Sequence, residues 1–306
     1  MVRDRVRGIV RGAQIGGPSL QSAFTDTWMQ PGQPHKWDAW LADYLRRRQR
    51  LGAMEFVSFE FYPFDDTCGD VSAKLTGAGA LLGQAWRQLR RDGWPETAPR
   101  IISEYGFSAY SGRVESELPS ALLVAGTVGQ WLALGGRAAF LFGYPPGTPA
   151  NQHLACAGYG NMMLFLADRR GQATAAMPSY YAARLLTRVW AQPGQGLHRA
   201  IKTRLESAGS DVAAFALRRP DRRVSVLLVN RSATRTHTIA LPAAAGTTLY
   251  TYGPQQYAWL DAGRLSRPVR DRPPAERRFG AGPVAATLAP MSLAVALLDP
   301  APPQPL

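Results

Sequence analysis

The first half of the chain alternates between short apolar runs and longer segments whose apolar residues recur at helical intervals. A short apolar run bounded by glycine or proline is typical of a buried parallel strand, whereas apolar positions three and four residues apart are typical of an amphipathic helix. The alternation therefore predicts βα units, in which helices join parallel strands. The predicted strands are residues 13–19, 54–62, 100–105 and 137–144, and the predicted helices are residues 2–12, 37–45, 72–91 and 117–134.

The pattern changes after Pro193. Two helical segments, 153–168 and 179–190, are predicted before it, and short alternating strands with Pro, Gly, Asp and Asn turns are predicted after it. We therefore predict an α/β domain over residues 1–194, an all-β sandwich over residues 195–299 and a disordered proline-rich tail over residues 300–306. The predicted strands of the second domain are residues 212–217, 224–230, 237–241, 247–252 and 292–298.

The composition is that of a globular protein. Of the 306 residues, 46% are hydrophobic, enough for a substantial core. The formal net charge of +13 would suit a nucleic-acid partner, but the basic residues are scattered singly and in short groups. No basic motif interleaved with aromatic residues, of the RNA-binding type, is present. We therefore expect no nucleic-acid binding, and we attribute the charge to composition.

Metal binding and membrane insertion find no support in the sequence. The cysteines, Cys68 and Cys156, and the four histidines lack the spacing of a zinc motif. The N-terminus is charged and lacks the apolar core of a signal peptide, and no later run reaches the roughly 18 apolar residues of a membrane helix. We expect no metal, no other cofactor and no membrane partner, while the localisation stays open.

Glu104 is the acid whose position most needs an explanation. It ends the apolar strand that begins at Arg100, and Tyr105 and Gly106 follow at once. Acidic side chains are seldom buried without a partner, but barrel enzymes mount their catalytic groups at the carboxyl ends of strands. Glu104 is therefore a candidate catalytic carboxylate, and the alternative is a solvated loop glutamate.

Three motifs resemble the later half of a clan A glycoside hydrolase barrel, nearest to the family 39 type that includes β-xylosidases and α-iduronidases. Residues 15–19, Ile-Gly-Gly-Pro-Ser, are similar to its fifth strand, and residues 57–62, Val-Ser-Phe-Glu-Phe-Tyr, to its sixth. Residues 102–106, Ile-Ser-Glu-Tyr-Gly, look like the seventh strand, which bears the nucleophile. The resemblance covers nearly the whole chain and implies a partial TIM (β/α)8 barrel, strands five to eight, followed by a β-sandwich.

The sequence departs from that family in two respects. Glu60 stands where the sixth strand usually has histidine, so the sugar contact expected there is altered. The family's acid/base glutamate belongs to an Asn-Glu pair on strand four, and residues 2–11 look like the helix after that strand, entered part-way along. We therefore expect half a barrel, whose open edges need either self-association or the missing N-terminal half.

The resemblance assigns roles to the residues at the strand ends. Glu104 would be the nucleophile, and the Tyr62 hydroxyl would orient it, unless Tyr62 only packs a rim loop. Glu60 is a candidate acid, because a like-charged neighbour raises the pKa of a carboxyl group. Against that role, both glutamates would approach the sugar from one side, whereas protonation needs a group across the glycosidic bond.

Candidate substrate-binding residues follow from the chemistry of sugars, whose apolar C–H faces pack on flat side chains. Tyr105, Tyr144 and Trp28 are the aromatic candidates, although a tryptophan there is more often part of the core. Asp65 would hydrogen-bond to sugar hydroxyls or be solvated.

The leading hypothesis is a retaining glycoside hydrolase acting on O-glycosyl bonds, or a truncated remnant of one. The alternatives are a non-catalytic carbohydrate-binding protein that keeps the cleft, and a basic structural or nucleic-acid-binding module. Full-length relatives of this type are often exported. Cys68 and Cys156 fall in loops predicted at the carboxyl ends of the strands, where a disulfide would fit an exported protein.

Overall fold

The computed structural model describes residues 2–17, 19–20, 43–47, 55–65, 68–94, 96–152, 155–194, 196–206 and 209–300. The first half is a parallel sheet with helices between its strands, and the second half consists of antiparallel sheets. Mixed α/β structure followed by β structure was predicted, and it is confirmed. The disorder predicted for 300–306 falls almost wholly outside the described residues.

Four parallel strands form the first sheet, ordered as they follow in the sequence. They are β1 (Ser19–Leu20), β2 (Val57–Phe61), β3 (Arg100–Tyr105) and β4 (Ala138–Leu141). The helices are α1 (Val2–Ile9), α2 (within 43–47), α3 (Val71–Arg91), α4 (Arg113–Ser116) and α5 (Leu118–Ala133). The long helix α3 starts where it does because the Asp70 side chain accepts hydrogen bonds from the backbone N–H groups of Ser72 and Ala73.

Helices α3 and α5 cover one face of this sheet. Val57, Phe59 and Phe61 alternate along β2 and are all 0% exposed, because every second residue of a strand points to the same face. The Trp131 ring of α5 meets the Phe59 ring edge-on, with the ring centroids 5.6 Å apart. The residues between them point to the other face of the sheet, and Glu60 is one of these.

The structure corrects two predicted elements. Residues 13–17 have no regular structure, and the strand is β1 instead. The backbone at Gly16 lies close to Phe56, the residue before β2, since a Cβ at Gly16 would lie 2.2 Å from the Phe56 carbonyl oxygen. The helix predicted over 153–168 is also wrong. Positive φ angles at Cys156 and Gly158 are incompatible with a helix, and a strand follows them.

The remaining chain contains a short hairpin, one helix and the antiparallel strands. The hairpin is β5 (Phe165–Ala167) and β6 (Ala173–Ala176), and α6 (Pro178–Leu185) continues into a π-helical turn at Leu186–Trp190. The strands are β7 (Arg199–Ile201), β8 (Val212–Arg218), β9 (Val224–Asn230), β10 (His237–Ala244), β11 (Thr247–Tyr252), β12 (Tyr257–Leu260), β13 (Arg267–Asp271), β14 (Ala275–Phe279), β15 (Gly282–Leu288) and β16 (Ser292–Leu298). All five strands predicted after Pro193 are confirmed; β7 and β12 to β15 were missed.

Two of the antiparallel sheets pack against each other. One has six strands in the order β14-β11-β16-β9-β8-β7, and the other pairs β10 with β15. Their shared core includes Leu228, Ile239, Leu241, Ala286 and Ala296. Strand β16 is buried at all seven positions because this core covers one of its faces and the helical layer covers the other.

Helix α5 connects the two halves of the molecule through one continuous core. Its residue Gly129 faces Phe215 of β8 so closely that a Cβ would lie 2.3 Å from the ring. The Trp190 indole N–H donates to the Phe215 carbonyl at 3.3 Å, and Ser225 Oγ donates to the Trp190 carbonyl at 2.5 Å. The antiparallel sheet is therefore docked on the helices. The boundary predicted at 194/195 stays a prediction.

Candidate active site

Glu104 lies at the end of β3, where a β-bulge interrupts the alternation of the strand. The register shifts between Phe59 and Glu60 of β2, so that Glu60 pairs with Glu104 and Ser103 is left as the additional residue. Bulges of this kind redirect side chains and are frequent next to active sites. The two glutamates consequently lie side by side on adjacent strands, and both are half-buried.

Tyr62 holds the Glu104 carboxylate from the neighbouring strand end. Its hydroxyl donates a hydrogen bond to Glu104 Oε2, with an O···O distance of 3.0 Å. Burial raises the pKa of the Tyr62 phenol far above its usual range, and the carboxylates of Glu104, Glu115 and Glu60 raise it further. Tyr62 therefore keeps its proton and remains a donor to Glu104 throughout the physiological pH range.

The Tyr62 ring is fixed by contacts on two sides. A Cβ at Gly106 would lie 3.0 Å from the Tyr62 ring, so the glycine lets the loop after β3 lie close against it. Phe142, just after β4, meets the ring edge-on with the centroids 6.4 Å apart. The rim-packing role and the donor role considered for Tyr62 therefore coexist in one side chain.

The loop after β3 is held by two carboxyl groups from different elements. Glu115 of α4 accepts a hydrogen bond from the Ser108 backbone N–H at 2.6 Å. Asp65, in the loop after β2, accepts from Ser108 Oγ at 2.9 Å and from the Ala109 N–H at 2.7 Å. These contacts indicate a structural role for Asp65, and its predicted sugar contact stays untested.

The sequence did not identify Glu115 as a residue of the site. It is 5% exposed, and burial raises the pKa of its carboxyl group to about 8, although the N–H groups of Ser108 and Phe107 act in the opposite direction. Asp65 also raises the pKa of Glu115. An acid in the first turn of a short helix usually faces solvent, so the local sequence carried no signal of this burial.

The aromatic candidates have different surroundings. Tyr105 is 3% exposed and belongs to the core under the helices, which disfavours a contact with substrate, and its predicted role in substrate binding stays a prediction. After the bulge at Ser103, Tyr105 points to the face that the helices cover, opposite to Glu60 and Glu104. Tyr144 is 77% exposed near the end of β4 and meets Phe165 edge-on at 6.5 Å. Trp28 lies outside the described residues.

The loops at the carboxyl ends of the strands are linked covalently. Cys68, after β2, and Cys156, after β4, form a disulfide with a Cα–Cα distance of 5.1 Å. The disulfide considered from the sequence is thus present. Close by, the Arg113 backbone N–H donates to the Ala157 carbonyl at 2.7 Å, so the loop before α4 is tied to the loop after β4.

Two other kinds of site are not found in the part of the chain that the structure describes. No set of three or more His, Cys, Asp or Glu side chains is placed to hold a metal ion. Over the same described ranges, no helix combines the length and apolar character needed to span a bilayer.

No protein-family model matches the sequence, and no curated protein matches it. Solved structures of glycoside hydrolases do match its fold. A GH51 arabinofuranosidase from Xanthomonas axonopodis pv. citri is 15% identical over 97% of this chain and 62% of its own, with a TM-score of 0.59. A GH39 β-xylosidase from Caulobacter crescentus is 16% identical over 97% of this chain and 60% of its own, with a TM-score of 0.54.

A third matching structure is a 4-O-α-L-rhamnosyl-β-D-glucuronidase from Fusarium oxysporum 12S. It is 12% identical over 97% of this chain and 62% of its own, with a TM-score of 0.61. At such identities the similarity shows the fold alone, and it supports a glycoside hydrolase fold without confirming family 39. The chain spans between 60% and 62% of the length of these three proteins.

Proposed function

We propose that this chain carries the nucleophile of a retaining glycoside hydrolase that acts on O-glycosyl bonds, with Glu104 as that nucleophile. The observation that supports the proposal is the hydrogen bond from Tyr62 to Glu104 Oε2 at the carboxyl ends of adjacent parallel strands. Catalytic groups of barrel enzymes lie at that end, and a nucleophile is typically oriented by a neighbouring donor.

The reaction has two steps in this proposal. Glu104 attacks the anomeric carbon through Oε1, the glycosidic C–O bond breaks, and the leaving oxygen receives a proton from an acid. In the second step, water gives its proton to the conjugate base of that acid and attacks the glycosyl-enzyme ester, which displaces Glu104 and gives retention of configuration. Tyr62 keeps Oε2 bonded during both steps, so that the attacking oxygen is held in line.

The catalytic acid is not assigned to any of the described residues. Glu60 pairs with Glu104 in the register of the two strands and therefore approaches a sugar from the same side. An acid across the glycosidic bond suits the chemistry better. We propose that the four parallel strands correspond to strands five to eight of a (β/α)8 barrel and that a further strand supplies the acid.

Exposed apolar side chains support the proposal that a partner buries part of the surface of this half-barrel. Val6, Ile9 and Val10 lie on one side of α1 and its end, with exposures of 39%, 86% and 55%. Phe140 of β4 is 58% exposed. Exposed apolar side chains in these two places are what we expect where a partner covers the surface. The partner in this proposal is a second copy or the remaining barrel strands.

The test uses 2-deoxy-2-fluoro glycosides with a dinitrophenolate leaving group. This leaving group departs without protonation, so the labelling step requires the nucleophile and not the acid. Incubation of the 306-residue chain with a panel of such sugars is expected to add one glycosyl unit, located on Glu104 by peptide mass spectrometry. Glu104→Gln is expected to abolish the adduct and Glu60→Gln to retain it. Labelling at any other residue would overturn the assignment.

A non-catalytic carbohydrate-binding protein is the second candidate. It is favoured by the exposed Tyr144 near the strand ends, which offers a flat face for sugar stacking without any contribution to hydrolysis. Saturable sugar binding that is lost in Tyr144→Ala, together with no glycosyl adduct on Glu104, would select this alternative.

A further inference from the structure

A cavity of about 550 Å³ lies apart from the Glu104 site, between α3, α5 and β8. Its size is within the range of small-molecule sites in proteins. The apolar side chains that line it include Leu75, Leu82, Leu123, Leu134 and Phe215, and the polar ones include Arg87, Gln130 and Arg231. None of the described residues that line it carries a carboxylate, and two of them are arginines, so this part of the cavity has a cationic character.

Glycines on the two facing helices keep this cavity open. Gly79 and Gly83 of α3 and Gly126 of α5 line it. A Cβ at Gly126 would meet nothing within 4 Å, so close packing does not require glycine there. At Gly129, three residues later on α5, the close approach of Phe215 does require it. Glycine is unfavourable inside a helix, and at Gly126 the missing side chain leaves empty space in the cavity.

Two planar polar groups lie over the α3 glycines. Arg87 Nη1 is 3.4 Å from the position that a Cβ on Gly83 would take, and Gln130 Oε1 is 3.6 Å from the corresponding position on Gly79. Among the described residues, the Arg87 guanidinium has neither an ion pair nor a hydrogen bond. Arg231, by contrast, donates to the carbonyls of Leu75 and Thr76 and is part of the wall.

We propose that this cavity binds a small organic carboxylate with an apolar body. The Arg87 guanidinium presents the paired N–H groups that match a carboxylate, and the Gln130 amide adds a second polar contact. The leucines and Phe215 accept the apolar body, whose burial supplies most of the affinity. A neutral ligand of the same shape lacks the ion pair with Arg87.

The probe is 4-phenylbutyrate, with 4-phenylbutan-1-ol as its neutral counterpart, and binding to the full chain is measured by ligand-observed NMR and calorimetry. The carboxylate is expected to bind saturably and about tenfold more tightly than the alcohol. Arg87→Gln is expected to remove that difference. Arg91→Gln is the matched control, because Arg91 is exposed like Arg87 and lies on the same helix but outside the cavity, and this variant should behave as the parent chain.

A second variant tests the location. Gly126→Leu places a branched side chain in the cavity and is expected to weaken the binding of both probes strongly, with thermal unfolding used to verify that the variant is folded. If Gly126→Leu does not fold, Arg87→Gln decides alone. The absence of saturable 4-phenylbutyrate binding, or equal binding to Arg87→Gln, would overturn the proposal. Glu104→Gln should bind the probe as the parent does, so the result does not depend on glycosidase activity.

Discussion

Tyr62 and Glu104 are 42 residues apart in the sequence, and a 3.0 Å hydrogen bond joins their side chains across adjacent strand ends. The bond depends on two local features: the β-bulge that aligns Glu104 with Glu60, and the glycine at 106 that lets the next loop approach the Tyr62 ring. The pair therefore provides an oriented carboxylate whose donor does not titrate near neutral pH.

Replacing Tyr62 by phenylalanine tests this orientation. The ring contacts with Gly106 and Phe142 are kept, whereas the donor to Glu104 is lost. We expect the rate of Glu104 labelling by an activated fluoro-sugar to fall by about 10- to 100-fold, with little change in thermal stability. Tyr110→Phe, at a half-exposed tyrosine, is the control. Equal labelling rates in both variants would mean that Tyr62 only packs.

The raised pKa of Glu115 predicts a pH-dependent stability. The folded chain retains a proton up to a pKa of about 8, while the unfolded chain releases it near the ordinary value of 4.5. The free energy of unfolding therefore falls as the pH rises from about 4.5 to 8 and is level above that. Since a glutamine cannot ionise and still accepts the Ser108 N–H, Glu115→Gln should be more stable at pH 8 by about 3–5 kcal/mol.

The measurement is urea unfolding of both chains between pH 5 and 9. Asp65 and Tyr62 are titratable groups that face Glu115, and both are the same in the parent chain and in Glu115→Gln. Glu96→Gln is the control, because Glu96 is exposed and forms a surface ion pair with Arg90. A difference between parent and Glu115→Gln that does not grow with pH would contradict the raised pKa.

The disulfide between Cys68 and Cys156 closes a loop of 88 residues. Closing a loop of this length restricts the unfolded chain, so its loss should lower the free energy of unfolding by about 2–4 kcal/mol. The double variant Cys68→Ser/Cys156→Ser should show that loss in calorimetry. Dithiothreitol should produce the same change in the parent chain and none in the double variant.

Two glycines of α5 form a matched pair for testing the docking of the antiparallel sheet. Gly129→Ala should lower the free energy of unfolding by about 1–3 kcal/mol, because the added methyl group collides with Phe215. Gly126→Ala should raise it by about 0.5–1 kcal/mol, because its methyl group enters the cavity and alanine favours a helix. Equal effects of the two substitutions in chemical denaturation would argue against the close contact.

The docking of the six-stranded antiparallel sheet on the helices also predicts the outcome of limited proteolysis. The core that includes Phe59, Trp190 and Val295 is continuous from the parallel sheet to the six-stranded sheet. Cleavage near residue 195 should therefore leave two fragments that co-elute in gel filtration under native conditions. A freely tumbling C-terminal fragment after brief digestion would be the opposite result.

The exposed apolar side chains predict association of the isolated chain. Light scattering on the purified protein should give a mass above the 33.3 kDa of one chain. The double substitution Ile9→Ser/Phe140→Ser removes the two most exposed of the four apolar side chains considered above and should shift the mass toward the monomer. Arg5→Ser, at an exposed arginine of α1, is the control. A monomeric parent chain would argue against an uncovered half-barrel.

The sequence determined the order of β2, β3 and β4 and of the helices α3 and α5 between them, because continuous apolar runs and helical repeats are local patterns in the chain. Val57, Phe59 and Phe61 show this, and so does the acid at the end of the next strand, Glu104. The strand β12 and its neighbours β13 to β15 were missed, since charged and prolyl residues such as Pro268 and Arg270 obscure their alternation.

Only the tertiary structure decided which residues meet. The bulge at Ser103 is invisible in the sequence because it depends on the register against β2, and it moves Tyr105 into the core. The burial of Glu115 depends on the loop after β3, and the cavity beside Gly126 depends on how α3, α5 and β8 approach one another. Register, burial and cavities arise from contacts between distant segments, so no local pattern specifies them.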